Sequence, residues 1–197
     1  MKLILASTSV SRQKILKKFN IPFDCIAPDC DETPQPNENA ITLVQRLSCI
    51  KAESVAKQCI DSIIIGSDQV GVLNKQIIGK PHTVDNAIKQ LQACSGKTIN
   101  FYTGLTVIDT GKQQRITIYE PFAVTFRQLS LAEISAYVEK EQPLYCAGSF
   151  KCDELGITLF DKLMGDDINT LIGLPLIRLN KILIKMGYNP LLQSNHS

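Results

Sequence analysis

Tryptophan is absent from this chain, and Phe and Tyr together make up only 6% of it. Proteins that bind single-stranded nucleic acid stack the bases on rows of aromatic rings, so that class loses support. An excess of one charge is missing as well, since 21 Lys and Arg face 19 Asp and Glu for a net charge of +2. Holding a long polyanion takes a basic surface. Phosphates would have to be met here by a few placed cations, which favours a small nucleotide over a nucleic acid. Histidine occurs only at His82 and His196, which argues against zinc-finger spacing and a Ser-His-Asp hydrolase. The seven cysteines (Cys25, Cys30, Cys49, Cys59, Cys94, Cys146 and Cys152) form no C-x-x-C pair. Their odd number argues against a secreted disulfide framework, and reduced thiols in a cytoplasmic protein are the expectation. No run approaches the roughly 20 apolar residues that a membrane span needs. The short apolar start is cut off at Ser7-Thr8-Ser9, before a signal peptide could form. The P-loop pattern G-x-x-x-x-G-K-[ST] and the dinucleotide fingerprint G-x-G-x-x-G are both missing, and no motif supports a cysteine nucleophile.

What is present is an ordinary globular balance, 44% apolar and 20% charged over 197 residues. That suits one domain with a real core, placed over residues 1–192, with two lobes around a cleft left open and 193–197 as a flexible tail. Residues 3–6 read as a buried strand feeding a helix that Ser9 or Ser11 caps. A second strand falls at 23–27, an acidic, Pro-containing loop at 28–39, and a helix at 40–58. Ile63-Ile64-Ile65 marks a strand over 62–66 buried on both faces. A hairpin is expected after it, from 70–73 and 76–78 around Asn74-Lys75. A helix at 84–94, long strands at 98–108 and 115–127, a helix at 131–140 capped by Ser130 and a last helix at 175–186 complete an α/β fold with a mixed sheet flanked by helices.

Three constellations carry candidate chemistry. Ser7, Thr8, Ser9 and Arg12 lie where a strand enters a helix, a place suited to phosphate, with Arg12 able to clamp its oxygens; the plain alternative is helix capping with a solvated arginine. Asp68, in Gly66-Ser67-Asp68-Gln69, follows the isoleucine strand at the carboxyl edge of the sheet. There it either holds a divalent metal, draws a proton from water, or merely closes a turn. Asp31-Glu32 in the acidic loop offers hard oxygen ligands, or is simply solvated. Among the lysines Lys51, Lys80 and Lys151, the second stands out between Gly79 and Pro81, which fix the backbone around it.

In their order along the chain, the segments at Leu3–Ser9 with Arg12, Asp31-Glu32, Lys51-Ala52, residues 65–70, Gly79-Lys80-Pro81 and Gly173-Leu174-Pro175-Leu176 resemble the Maf-like nucleotide pyrophosphatases. Residues 66–70, 101–104, 120–122 and 146–151 are similar to the branch that acts on 7-methyl-GTP. The pyrimidine branch carries Thr where this chain has Gln69. The resemblance implies a strongly twisted sheet, hydrolysis of a nucleoside triphosphate to monophosphate and pyrophosphate, and a nucleotide clean-up role. It implies Asp68 as proton acceptor, Ser7, Ser9, Arg12, Lys51 and Lys80 on the phosphates, and Glu32 with Asp68 on a divalent cation, Mg²⁺. Ser11, Gln69 and Asp153 fall at positions linked to base choice. At two of them the branch carries other residues, a large aromatic at Ser11 and Glu at Asp153. The alternatives are the same reaction on dTTP or UTP, or a non-catalytic nucleotide-binding regulator of cell division. The expected partner is a small nucleotide, with no membrane or nucleic acid, and a homodimer stays open.

Overall fold

The computed structural model describes residues 1–193. In chain order it contains β1 (Lys2–Leu5), α1 (Val10–Leu16), β2 (Asp24–Cys25), α2 (Ala40–Ala56), β3 (Ser62–Leu73), β4 (Gln76–Ile78), α3 (Val84–Cys94), β5 (Thr98–Asp109), β6 (Gln114–Phe126), α4 (Leu131–Glu141), β7 (Phe160–Met164), α5 (Ile168–Ile172) and α6 (Leu176–Lys185). The strands form one sheet in the order β2-β1-β3-β5-β6-β7, with β4 also paired to β3. β1 runs parallel to β2 and β3, whereas the pairs made by β4, β5, β6 and β7 are antiparallel. The mixed, helix-flanked α/β sheet expected from the sequence is what the chain builds.

Alternation of side chains along β3 divides the core between the two sheet faces. Ile63 and Ile65 pack with Leu3, Leu5, Leu105 and Val107 beneath Ile15 and Leu16 of α1 and Leu179 and Leu183 of α6. Ile64 faces the other way, against Ala52 and Val55 of α2. The few aromatics concentrate under α3 and α4, where Phe101, Phe126, Phe150 and Phe160 meet edge to face at centroid distances of 5.0–5.6 Å. Burying each such ring contributes roughly 1.5–3 kcal/mol.

The hairpin expected from 70–73 and 76–78 around Asn74-Lys75 is present as the end of β3 with β4, but β3 differs from the reading of a strand that stops at Gly66. It is continuous from Ser62 to Leu73, and Asp68 stands inside it rather than beyond its end. Gly66, Ser67 and Asp68 suggest a turn, but β5 pairs with every residue from Ile63 to Val72 and holds the segment extended. The glycine has another purpose. A Cβ on Gly66 would come within 2.2 Å of the Ser48 carbonyl oxygen, and one on Gly104 within 2.0 Å of the Val44 carbonyl oxygen. The backbone of α2 therefore lies directly on β3 and β5. Also unforeseen were β7 and α5, short elements that sequence periodicity cannot resolve. The tail expected at 193–197 lies outside the described residues apart from Gln193, whose side-chain amide donates to the Asn189 carbonyl.

At the start of α4, Ser130 and Glu133 form a reciprocal capping box, and Arg127 approaches the Glu133 carboxylate at 2.8 Å. The Ser130 hydrogen bonds and this ion pair draw the Glu133 carboxyl down from 4.5 to about 2. A depressed carboxylate stabilises fully above its ordinary value and loses that contribution as pH falls through the depressed one. The melting temperature, followed by circular dichroism from pH 5.5 to 2.5, should therefore fall more steeply in the native chain than in Glu133→Gln. Parallel slopes would show that the box does not couple to stability.

Candidate functional site

β1 and β4 pair with the same edge of β3 but do not meet. β1 covers Ser62 to Ile65 and β4 covers Gly71 to Leu73, so residues 66–70 have no strand beside them on that edge. A cavity of about 410 Å³ opens at this gap. Because neighbouring side chains on β3 point to opposite faces, residues from both faces of the sheet reach it. Gaps of this kind, where strands part at their carboxyl ends, are where open α/β sheets place ligands.

From one face comes the turn after β1. Ser7, 5% exposed, accepts a hydrogen bond at Oγ from the Ser9 amide at 3.1 Å, and Ser9 caps α1 by accepting from the Arg12 amide at 3.4 Å. Both hydroxyls thus spend an oxygen lone pair on the turn and keep a proton for a ligand. The Arg12 side chain donates through Nε to the Gly173 carbonyl at 2.9 Å. Its two terminal nitrogens have no hydrogen-bond partner among the described residues, and Arg12 lines the cavity. Burial lowers the Arg12 pKa from its ordinary value, while the charges of Asp68 and Glu32 push it the other way. Gln69 reaches the wall from the same face. Its amide nitrogen is committed to the Thr103 hydroxyl at 3.0 Å and to the carbonyls of Thr170 at 2.7 Å and Leu171 at 3.0 Å. What Gln69 presents to a ligand is its acceptor oxygen.

From the other face comes Lys51 of α2, 6% exposed. Its ammonium bridges two carboxylates, Asp68 Oδ1 and Glu32 Oε2, each at 2.7 Å. Asp68 does not line the cavity itself but meets it through Lys51. The loop carrying Glu32 is tied to α2 by Arg46, which grips the Glu38 carboxylate at 2.6 and 2.8 Å and the Thr33 carbonyl at 3.1 Å. Lys80, just beyond β4, stands exposed on the rim.

The structure thus gathers Ser7, Ser9, Ser11, Arg12, Glu32, Lys51, Gln69, Lys80 and Asp153 around one cavity, with Asp68 behind Lys51. Lys151 also lines it, but its ammonium donates to the Glu141 carbonyl at 2.7 Å and faces the Glu141 and Glu154 carboxylates. Cys146 and Cys152 belong to the wall, yet burial raises the first thiol and pushes the second up to about 12. Protonated thiols make poor nucleophiles. Sequence reasoning missed Tyr145, exposed on the rim, and the supporting partners Ser67, Thr103, Thr170 and the Gly173 carbonyl. The contacts to Gly173 span 106 and 161 residues of chain, so no local pattern announces them.

The Maf-like protein family model matches residues 2–186. The chain belongs to the Maf family. Curated relatives within it are similar over almost their whole length. A protein of Aliivibrio fischeri named 7-methyl-GTP pyrophosphatase is 56% identical, over 96% of this chain and 98% of that one. Proteins of the same name from Pseudoalteromonas translucida and Colwellia psychrerythraea are 53% and 51% identical, each over 98% of this chain and 96% of the relative. Among solved structures, the Staphylococcus aureus Ham1 protein aligns at a TM-score of 0.46 with 14% identity, over 64% of this chain and 72% of that one. Among the described residues, this Maf-family chain has no helix long and apolar enough to cross a membrane.

Proposed function

We propose that this protein hydrolyses a nucleoside triphosphate to the monophosphate and pyrophosphate, with 7-methyl-GTP as its substrate, as part of nucleotide clean-up in the cytoplasm. The observation that carries the reading is the Lys51 ammonium held between Asp68 and Glu32 at 2.7 Å from each, beside an arginine with its fork free. The cavity, about 410 Å³, is of the size that takes a nucleotide.

The residues divide the work by chemistry. Arg12 clamps phosphate oxygens with its terminal nitrogens, and Lys51 and Lys80 neutralise charge as it moves onto the leaving pyrophosphate. The Ser7 and Ser9 hydroxyls donate to the same oxygens. Asp68 orients a water or takes its proton as that water attacks the α-phosphorus in line. Little covalent chemistry is asked of the protein, so orientation and charge stabilisation supply most of the rate.

Glu32 and Asp68 suit a hard divalent cation, Mg²⁺ in this reading. Their oxygens sit on one ammonium, so they lie no farther apart than twice the 2.7 Å distance. Mg²⁺ habitually uses one or two carboxylates and takes its other ligands from substrate phosphates and water. When bound, the ion polarises phosphoryl oxygen as a Lewis acid.

At the base end, the fixed Gln69 oxygen and the exposed Asp153 carboxylate are both acceptors. A guanine edge, with its N1–H and amino donors, complements them. Ser11 offers no ring to a cationic methylated base. Of the two aromatics that line the cavity, Phe150 is buried and Tyr145 is 73% exposed on the rim, so Tyr145 is the ring we assign to that base, a contact worth about 0.5–2 kcal/mol.

The test is pyrophosphate release from 7-methyl-GTP, GTP, dTTP and UTP, with and without Mg²⁺. The expected result is the highest kcat/KM on 7-methyl-GTP and no turnover without the metal. Faster cleavage of dTTP or UTP would move the substrate to a pyrimidine. Tight nucleotide binding with no pyrophosphate over hours would leave a non-catalytic binder.

A further inference from the structure

We propose that Ser67 is a positioning residue for the phosphate-binding arginine, acting through the main-chain carbonyl of Gly173. This rests on the reading of the cavity as a polyphosphate site. Ser67 is fully buried in β3 and takes no part in the cavity wall. Its hydroxyl lies 2.9 Å from the Gly173 carbonyl oxygen and 2.8 Å from that of Gly104. The Gly173 oxygen is also the acceptor for Arg12 Nε–H at 2.9 Å. One carbonyl thus stands between a strand residue and the arginine.

The arrangement follows from how α5 ends. The last carbonyls of a helix have no partner within it and carry its partial negative charge, so they seek donors, cations above all. Those at the end of α5 are met from the sheet and from α1. Gln69 and Thr103 donate to Thr170, Gln69 also to Leu171, and Ser67 and Arg12 to Gly173. A guanidinium is a planar group with five N–H donors in a fixed fork. Committing Nε–H sets the plane of the fork and leaves the four terminal N–H for a ligand. Without that stop, Arg12 is a long flexible side chain that must be ordered when phosphate binds, at a cost in affinity.

Ser67 matters because its single proton is shared by two carbonyl oxygens. Without it, the buried Gly104 and Gly173 oxygens would face each other with no shared proton, an unfavourable arrangement, and the Gly173 carbonyl, held by Arg12 Nε–H alone, would be free to turn. Gly173 itself is constrained. Its φ of +125° is glycine territory, and a Cβ there would sit 3.4 Å from Arg12 Nε and 3.7 Å from Nη2.

The experiment is a double-mutant cycle read by calorimetry with inorganic tripolyphosphate, which reports the phosphate clamp whether or not any nucleotide is hydrolysed. Ser67→Ala should weaken tripolyphosphate binding by about fivefold to tenfold, the scale of one oriented hydrogen bond. Arg12→Gln should weaken it more. The double variant should match Arg12→Gln alone, because Ser67 has nothing left to position. A Ser67→Ala loss that persists in full in the Arg12→Gln background, or native affinity in Ser67→Ala, would overturn the proposal. Should Ser67→Ala fold poorly by its melting temperature, Arg12→Lys, which keeps the charge but has no Nε–H to give to Gly173, is compared with Ser67→Cys by the same cycle. The same non-additivity is expected, and additive losses count against it. Failure of the native chain to release pyrophosphate from any nucleotide would instead strike the enzymatic reading, and the cycle would still be decided.

Discussion

Asp68→Asn is expected to lower kcat by at least about 10²-fold, the low end for a positioned acid–base group, while leaving KM within a few-fold of the native value. The amide keeps an oxygen that can accept from the Lys51 ammonium, now 2.7 Å from Asp68 Oδ1, so the geometry is preserved while the charge and the basic oxygen are lost. Arg12, Lys51 and Lys80 still bind the phosphates, which is why the effect should fall on turnover rather than on binding. Steady-state kinetics on the best nucleotide of the screen, with the melting temperature as control, makes the check. A kcat within tenfold of the native one would remove Asp68 from the proton-handling step.

Lys51→Met is the more damaging change, because it acts on stability and catalysis together. The methionine fills much of the same volume, but Asp68, 8% exposed, loses its cation. Breaking one side of a buried ion pair costs about 3–5 kcal/mol. Glu32, half-exposed on its loop, loses less, since solvent screens it. A loss of about 3–5 kcal/mol in urea unfolding is expected, together with a fall of at least about 10³-fold in kcat/KM as phosphate neutralisation and Asp68 orientation disappear together. The double change Lys51→Met with Asp68→Asn separates the two effects. It should recover most of the stability, because no orphaned charge remains, and none of the activity. A double variant no more stable than Lys51→Met would show that the damage comes from packing.

The parts of this site that were legible in the sequence are those whose chemistry is local. A serine-capped turn followed by arginine, a lysine framed by Gly79 and Pro81, and a carboxylate next to an isoleucine strand each have a short-range signature. The split drawn between residues 66 and 70 was wrong for a physical reason. Gly66 and the polar residues after it have turn propensity, yet the register with β5 overrides it, and the glycine is there to admit the α2 backbone. What the sequence could not show is the second layer. Ser67, Thr103, Thr170 and Gly173 meet only because α5 docks on the sheet, and helices of five residues leave almost no periodic trace. Nor could it show that Asp68 and Gln69, neighbours in the chain, work from opposite faces of one strand.

The stretch of β3 left without a neighbour between β1 and β4 bears on how this chain tolerates change. Residues 66–70 offer main-chain groups that a longer first strand would zip onto, sealing the cavity from end to end. Ala6 already donates its amide to Ile65, and the Ser7 amide then turns back to the Leu5 carbonyl, so the run of pairing stops one residue short of Ser67. Swapping Ser7-Thr8-Ser9 for β-branched apolar residues would favour that extension, and activity would vanish without any charged group having been touched.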